Sequence, residues 1–319
     1  MSGGVTEPVV LTGPTASGKS AVAVCLAERI GGEIISVDSM QVYRGLDIGT
    51  AKPDPTERRR APHHLIDIVD LDVAFDAAHF VRRATEGIRD IQGRGRVPIL
   101  CGGTGMYFNA WLSGLGDAPP PDPELRARIE ATPLEALLDE LATKDPVLFD
   151  EIDLKNRRRI IRAVEVIRIT GRPFSLQRAI WPERAPTVAG RSFGLERSID
   201  DLRRRIHQRV ERMFEHGWIE ETRTLLTAGL AGNRTASQAI GYRQIMEHLA
   251  GLHSRLVTVD LIQTRTRQFA KRQRTWLHGQ LDLQWLEVSE KETAETTAER
   301  IADQLMANRG QTGKKPVPE

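Results

Sequence analysis

The stretch Val9-Val10-Leu11-Thr12-Gly13-Pro14-Thr15-Ala16-Ser17-Gly18-Lys19-Ser20 decides the fold. Val9 to Leu11 read as a short apolar strand, Gly13 to Ser20 fits G-x-x-x-x-G-K-[ST], and Ala21 to Ile30 continues as an apolar helix. In such a loop, backbone N–H groups wrap around a phosphate chain while a lysine and a helix N-terminus supply positive charge. Lys19 is expected at a terminal phosphate and Ser20 at a Mg²⁺ ion. A glycine turn beside an incidental lysine would give the same string, but its placement between a strand and a helix argues against coincidence.

The same rhythm continues outward. A second strand, Glu33 to Val37, ends at Asp38, and a third, Val97 to Cys101, ends at Gly102-Gly103-Thr104 after a helical stretch from Ala77 to Ile91. Strands alternating with helices predict an α/β fold, a P-loop NTPase-like parallel sheet flanked by helices. Ligands of such sheets bind beyond the carboxyl ends of the strands, where all three motifs fall. Asp117 to Pro123, with four prolines in seven residues, breaks the pattern. Beyond it Glu124 to Glu130, Leu134 to Leu141 and Arg158 to Ile169 read as helices, so 118–186 is expected to be a helical insertion. Phe193 to Leu195 reads as a returning strand, and the spacing of Leu202, Ile206, Val210, Met213 and Phe214 marks an amphipathic helix. Residues 1–117 and 187–309 are therefore expected to form the core with C-terminal helices, and 310–319, polar and proline-containing, a disordered tail. No internal repeat or low-complexity segment is evident.

The 319 residues are 40% hydrophobic and 28% charged, and 45 basic against 43 acidic side chains leave a net charge of +2. Disorder along the whole chain is excluded, and so is a general affinity for polyanions. The apolar runs fall far short of the roughly 20 residues of a membrane-spanning helix. Met1 to Pro8 carries Glu7 and no basic segment, so it does not read as a secretory signal, and the chain is expected in the cytoplasm. Cys25 and Cys101 lie too far apart for a zinc motif or a disulfide framework and read as small buried hydrophobes. The histidines, His63-His64 included, show no metal-ligand spacing.

Charge is clustered all the same. Lys155 to Arg162 and Leu261 to His278 each carry five Lys and Arg residues and no acid, and the second run includes Trp276, with Tyr242 and Arg243 near it in sequence. An arginine-rich helix face is usually solvated surface. Acid-free runs beside aromatic residues point instead to phosphates and unpaired bases.

The strand ends bear on what the loop holds. An ATPase needs an apolar strand ending in an acid that holds Mg²⁺ and orients water. The third strand ends without one, and Ile66 to Asp70 and Val257 to Asp260 are less well placed to substitute, which weakens a hydrolase reading. Gly102-Gly103-Thr104 is either a tight turn or a close approach to a ligand with a hydroxyl at hand. Asp38, facing the same crevice, is suited to accept a proton or a hydrogen bond from an acceptor nucleophile, to sit near a metal, or to act as a helix cap for the following segment.

These stretches resemble the bacterial tRNA dimethylallyltransferases (tRNA isopentenyltransferases). The resemblance rests on G-P-T-A-S-G-K-S at 13–20, I-S-V-D-S at 35–39, Y-R-G-L-D-I-G-T-A-K-P at 43–53 and A-P-H-H-L-I-D at 61–67. It continues with P-I-L-C-G-G-T-G-M-Y at 98–107, D-P-E-L-R-A-R-I at 122–129, G-Y-R-Q at 241–244 and T-R-Q-F-A-K-R-Q-R-T-W-L at 266–277, in the family's order over almost the whole chain. It implies transfer of the dimethylallyl group from dimethylallyl diphosphate to the exocyclic amine of the adenosine 3′ of a tRNA anticodon. The P-loop would hold the donor's diphosphate instead of ATP. Asp38 corresponds to the general base on the amine, and Lys19, Ser20 with Mg²⁺, Thr104 and Arg209 to groups that stabilise the departing diphosphate. For tRNA the resemblance implies Asp38, Ser39, Met40, Gln41, Thr104 and Arg126 near the target nucleotide. Arg158, Arg159, Ile160, Ile161, Arg162, Gln238, Gly241, Tyr242, Arg243, Lys271, Arg272, Gln273 and Trp276 would hold the anticodon stem-loop. The base would be extruded into the pocket, and the enzyme is expected to act as a monomer. The chain departs from the family pattern in a slightly shorter insertion before Lys155 and in Gln238-Ala239, where relatives often carry a basic residue and a cysteine. Three other readings share these features: an adenylate dimethylallyltransferase, a P-loop small-molecule kinase, and an RNA-binding protein with a vestigial P-loop.

Overall fold

The computed structural model describes residues 7–179, 181–185 and 187–311. It places six strands in one parallel sheet: β1 (Val9–Thr12), β2 (Gly32–Val37), β3 (His63–His64), β4 (Val97–Gly102), β5 (Ser192–Glu196) and β6 (Gln284–Glu287), in the order β3-β2-β4-β1-β5-β6. Register is set by pairs such as Leu11 with Cys101 and with Phe193, and Val37 with Gly102. β1, β2 and β4 are buried at every position, as expected of parallel strands covered on both faces. After β1 the chain moves to one side of the sheet, and β5 returns on the other. The order thus reverses at β1 and β4, whose carboxyl ends carry the P-loop and Gly102-Gly103-Thr104. A crevice for a ligand is expected at such a point.

The helix that follows the P-loop runs over Lys19–Ile30, two residues earlier than its apolar run predicts, because Gly18 caps it with φ 94°. Its inner face shares one core with Leu11, Ile99 and Phe193 of the sheet and with Ala298, Ile301 and Leu305 of the helix Ala294–Gln311. β3 and β6 were not foreseen. β3 is two residues long, and β6 buries only Leu286, so neither carries a period a sequence can show. Ile66 to Asp70 is not a strand, and Val257 to Asp260 begins the helix Arg255–Gln280, so neither supplies a strand-terminal acid. Gly310 and Gln311, expected in a disordered tail, end the last helix, and the rest of that expected tail lies outside the described residues.

The chain divides into two compact units: 1–112 with 183–319, and 113–182. The second unit begins five residues and ends four residues before the bounds expected for the insertion. Its helices are Pro123–Ala131, Leu134–Lys144, Pro146–Glu151 and Arg157–Thr170, with Asp122, Asp145 and Asn156 capping three of them. Leu137, Leu141, Ile160, Ile161 and Val164 make its core. Ile160 and Ile161, expected against tRNA, are 0% and 7% exposed, since the amphipathic period of that helix turns them inward. Arg126 and Arg162, also expected on RNA, converge on the buried Glu165 at 2.6 and 2.7 Å. The acid that the basic run lacks therefore stands three residues beyond it. Arg157 donates to the carbonyls of Glu130 and Thr132, whereas Arg158 and Arg159 are exposed.

Candidate active site

The P-loop is held by its carbonyls. Arg197, buried and paired with Asp201 at 2.9 Å, donates to the Ser17 carbonyl at 2.7 Å, and Arg205 donates to the Ala16 carbonyl at 2.9 Å. With those oxygens engaged, the first-turn N–H groups of Lys19–Ile30 lack acceptors inside the helix and are available to an anion. The Ser17 hydroxyl is buried without a partner. The other side of the crevice is tied by hydrogen bonds from Thr104 N to the Val37 carbonyl (3.2 Å) and from Ser39 N to Thr104 Oγ1 (3.2 Å). Thr104 thus accepts with its oxygen and keeps its hydroxyl proton for another partner.

Gln273 joins the two sides. Its Oε1 accepts from Thr15 N at 2.8 Å, and its Nε2 donates to the Gly103 carbonyl at 2.9 Å. A Cβ on Gly103 would press on that Nε2 and displace the amide from its place. This corrects the expectation that Gln273 contacts tRNA, because its side chain is buried and both polar ends are taken. Its neighbours on the 26-residue helix Arg255–Gln280 differ: Lys271 and Arg272 are exposed, and Trp276 is half-buried, with its ring against Gly105.

Lys19 and Arg209 are half-buried and line a cleft of about 1250 Å³ with Ser20, Arg205, Gln208 and Arg212. Among the described residues neither forms an ion pair, and Lys19 bonds only the Pro14 carbonyl, at 3.3 Å. Burial is the main force pulling the pKa of Lys19 down, Arg209 adds to it, and Cys101 and Asp38 oppose it. Arg209 is lowered by burial and by Arg212 against the pull of Asp38. Two cations desolvated side by side, both biased against their charge, form a site that an anion completes. Asp38 is not in the wall of the cleft, yet its charge acts on both cations, so Lys19 and Arg209 belong to the surroundings of cleft and carboxylate alike. Asp38 Oδ1 accepts from Met40 N at 2.8 Å and Gln41 N at 3.3 Å, which braces a turn and caps no helix, since the next one begins only at Pro55, and leaves Oδ2 for other work.

Ser20 is exposed at the head of the helix, and no three His, Cys, Asp or Glu side chains among the described residues cluster as metal ligands. A hydroxyl at a phosphate loop suits a Mg²⁺ ion that takes most of its ligands from phosphate and water. Met40 is half-buried beside Asp38. Gln41 bonds inward, with Oε1 accepting from Ser36 Oγ and Nε2 donating to the Thr50 and Ala51 carbonyls. Gln238 and Arg243 are exposed and bond each other at 3.2 Å. Gly241 and Tyr242 are buried, Tyr242 completely, which corrects their expected contact with tRNA. Sequence reasoning missed Gln273 as a strut, the arginines behind the P-loop, and Glu221, described below. Only the i,i+4 spacing of Arg197 and Asp201 was readable, and it does not say which loop the pair supports.

A parallel sheet flanked by helices, with a P-loop at its switch point, two unpaired cations and a neighbouring carboxylate, defines a P-loop α/β protein. The IPP transferase family model matches residues 41–280. The tRNA dimethylallyltransferase 1 of Citrifermentans bemidjiense is 48% identical over 281 residues, covering 88% of this chain and 91% of that protein. The tRNA dimethylallyltransferase of Geobacter metallireducens is 46% identical, covering 88% and 93%. Among solved structures, the full-length tRNA isopentenylpyrophosphate transferase of Bacillus halodurans aligns with a TM-score of 0.68 at 37% identity, covering 98% of this chain and 100% of that one. A eukaryotic dimethylallyltransferase acting on tRNA aligns with a TM-score of 0.78 at 26% identity, covering 98% and 81%. The chain belongs to the IPP transferase family. Among the described residues no helix is long and apolar enough to cross a membrane.

Proposed function

We propose that the protein transfers the dimethylallyl group of dimethylallyl diphosphate to the exocyclic amine of the adenosine 3′ of the anticodon in tRNA, in the cytoplasm and as a monomer. The observation that carries this reading is the pair of unpaired, half-buried cations, Lys19 and Arg209, between a phosphate loop and the Asp38 carboxylate, while β4, beside the strand that feeds the loop, ends without an acid. In the reaction the donor's C1–O bond breaks, a bond from the amine nitrogen to C1 forms, the amine proton passes to Asp38, and diphosphate leaves. Lys19, Arg209, the first-turn N–H groups and the Thr104 hydroxyl stabilise the charge that develops on the leaving oxygens. Ser20 would hold a Mg²⁺ ion borne by the diphosphate, which supplies further charge neutralisation there. Lys271, Arg272, Trp276, Gln238, Arg243, Arg158 and Arg159, all at least partly exposed, remain the residues we assign to the anticodon stem-loop. The test is diphosphate release from the donor with unmodified tRNA, with AMP, and with neither. Release that requires tRNA supports the reading, and release with AMP alone or ATP consumption without the donor overturns it.

A further inference from the structure

The turn that braces Asp38 is itself clamped from the C-terminal half of the first unit. Glu221, on the helix Trp218–Thr227, accepts from three successive backbone N–H groups: Asp47 at 3.2 Å, Ile48 at 2.7 Å and Gly49 at 3.4 Å. Its Oε1 also accepts from the Tyr242 hydroxyl at 2.6 Å, and that hydroxyl in turn accepts from Gly49 N at 3.1 Å. Burial and the Glu221 carboxylate raise the pKa of Tyr242, so the phenol remains a donor. Trp218 closes the clamp. It is 2% exposed, packs edge-on to Tyr242 at 5.7 Å, and leaves no room for a Cβ at Gly49, which would lie 2.2 Å from its Nε1. The clamped segment has two uses. Asp47, Ile48, Ala51 and Lys52 line the cleft, and the Thr50 and Ala51 carbonyls receive the Gln41 amide, whose own backbone N–H bonds Asp38. The Lys52 ammonium, bonded to the Tyr43 carbonyl and to Asp47 and Asp67, fastens the far end.

We infer that Glu221 and Tyr242 are positioning residues for the reaction: by clamping Asp47–Gly49 they fix Gln41, and through it the carboxylate of Asp38. Tyr242 therefore acts on the chemical step and not as an RNA contact. The inference rests on the proposed transfer reaction and adds to it two residues that touch neither substrate. A loss of positioning of this kind costs about 10- to 100-fold in the chemical step.

The experiment is single-turnover transfer with enzyme in excess over unmodified tRNA at saturating donor, for the wild type, Glu221→Gln, Tyr242→Phe and the double variant, with tRNA affinity measured in parallel by filter binding. The clamp predicts single-turnover rates lowered about tenfold or more in each single variant, tRNA affinity unchanged, and a double variant no slower than the slower single one, because the two act as one unit. Tyr242→Phe keeps the buried ring, so it carries the test if Glu221→Gln fails to fold. Unchanged single-turnover rates, or weakened tRNA binding as the main effect of Tyr242→Phe, overturn the inference. A wild type that transfers nothing to tRNA overturns the proposed function instead, so the two failures are distinct.

Discussion

Replacing Gln273 by leucine, of similar volume, removes both bonds of the strut between the P-loop and the Gly102-Gly103-Thr104 turn. Thr15 N–H and the Gly103 carbonyl then lose their partners at 2.8 and 2.9 Å in a place where the side chain that served them is buried. A buried polar group left unpaired costs about 1–3 kcal/mol. Water entering from the open side of the loop relieves part of this, so about 2 kcal/mol for the pair is expected. If that cost is shared equally between folding and donor binding, about 1 kcal/mol to each, the melting temperature falls by roughly 2–4 °C, and the KM for dimethylallyl diphosphate rises about fivefold. Gln273→Glu should be worse for the donor than the leucine variant. It keeps an acceptor for Thr15 but sets a second acceptor against the Gly103 carbonyl and a negative charge beside the diphosphate. The assays are steady-state transfer with the donor varied, and filter binding of tRNA over a salt series. tRNA affinity and its salt dependence should stay at the wild-type value in both variants. Weakened tRNA binding with an unchanged donor KM would refute the strut and return Gln273 to the RNA surface.

Other outcomes follow from the same geometry. Lys271→Ala and Arg159→Ala each remove an exposed cation, so each should weaken tRNA binding and lower the slope of log affinity against log salt by about one, while sparing the donor KM; unchanged slopes would mark both as solvated surface. Ile160→Ala should lower stability by about 2–5 kcal/mol through a cavity in the core of the second unit, read as an earlier thermal transition; wild-type stability with reduced tRNA affinity would contradict its burial. Glu33 is buried, and although burial by itself raises its pKa, the bonds from Arg94 and His64 hold it below the usual 4.5. The folded pKa lies below the unfolded one, so this stabilisation is complete above about pH 4.5 and is lost as pH falls through the folded value. Arg94→Met should accordingly move the acid-unfolding midpoint, followed by circular dichroism, to higher pH, and an unmoved midpoint would show that the pair contributes nothing.

Local signals were the legible ones. The P-loop, the strand ending at Asp38 and the strand ending at Gly102 could be read because each joins a short, largely apolar run to a polar turn, and the parallel sheet followed from their alternation with helices. What escaped the sequence depends on contacts between distant segments. Gln273 lies 258 residues from Thr15, and Glu221 lies 172 to 174 residues from the backbone groups it holds. No spacing rule connects such partners. The errors share a form: the resemblance assigns Ile160, Ile161 and Tyr242 to tRNA, each beside an arginine, and a place next to a cation in sequence does not make a side chain exposed. The helix period turns such residues inward, where their apolar or aromatic surface is buried. Glu165, three residues beyond Arg162, shows how a run without acids acquires its counter-charge from just outside its bounds.

The central claim is that the P-loop delivers a prenyl group and Asp38 frees the acceptor amine. The most direct measurement is mass spectrometry of nucleosides and nuclease fragments from unmodified tRNA, with an adenosine-rich anticodon loop, incubated with Mg²⁺, dimethylallyl diphosphate and either the wild type or Asp38→Asn. The account predicts a dimethylallyl group on the adenosine 3′ of the anticodon with the wild type, and almost none with Asp38→Asn despite wild-type tRNA affinity. An unmodified anticodon loop with the wild type, or equal modification by both proteins, would contradict it.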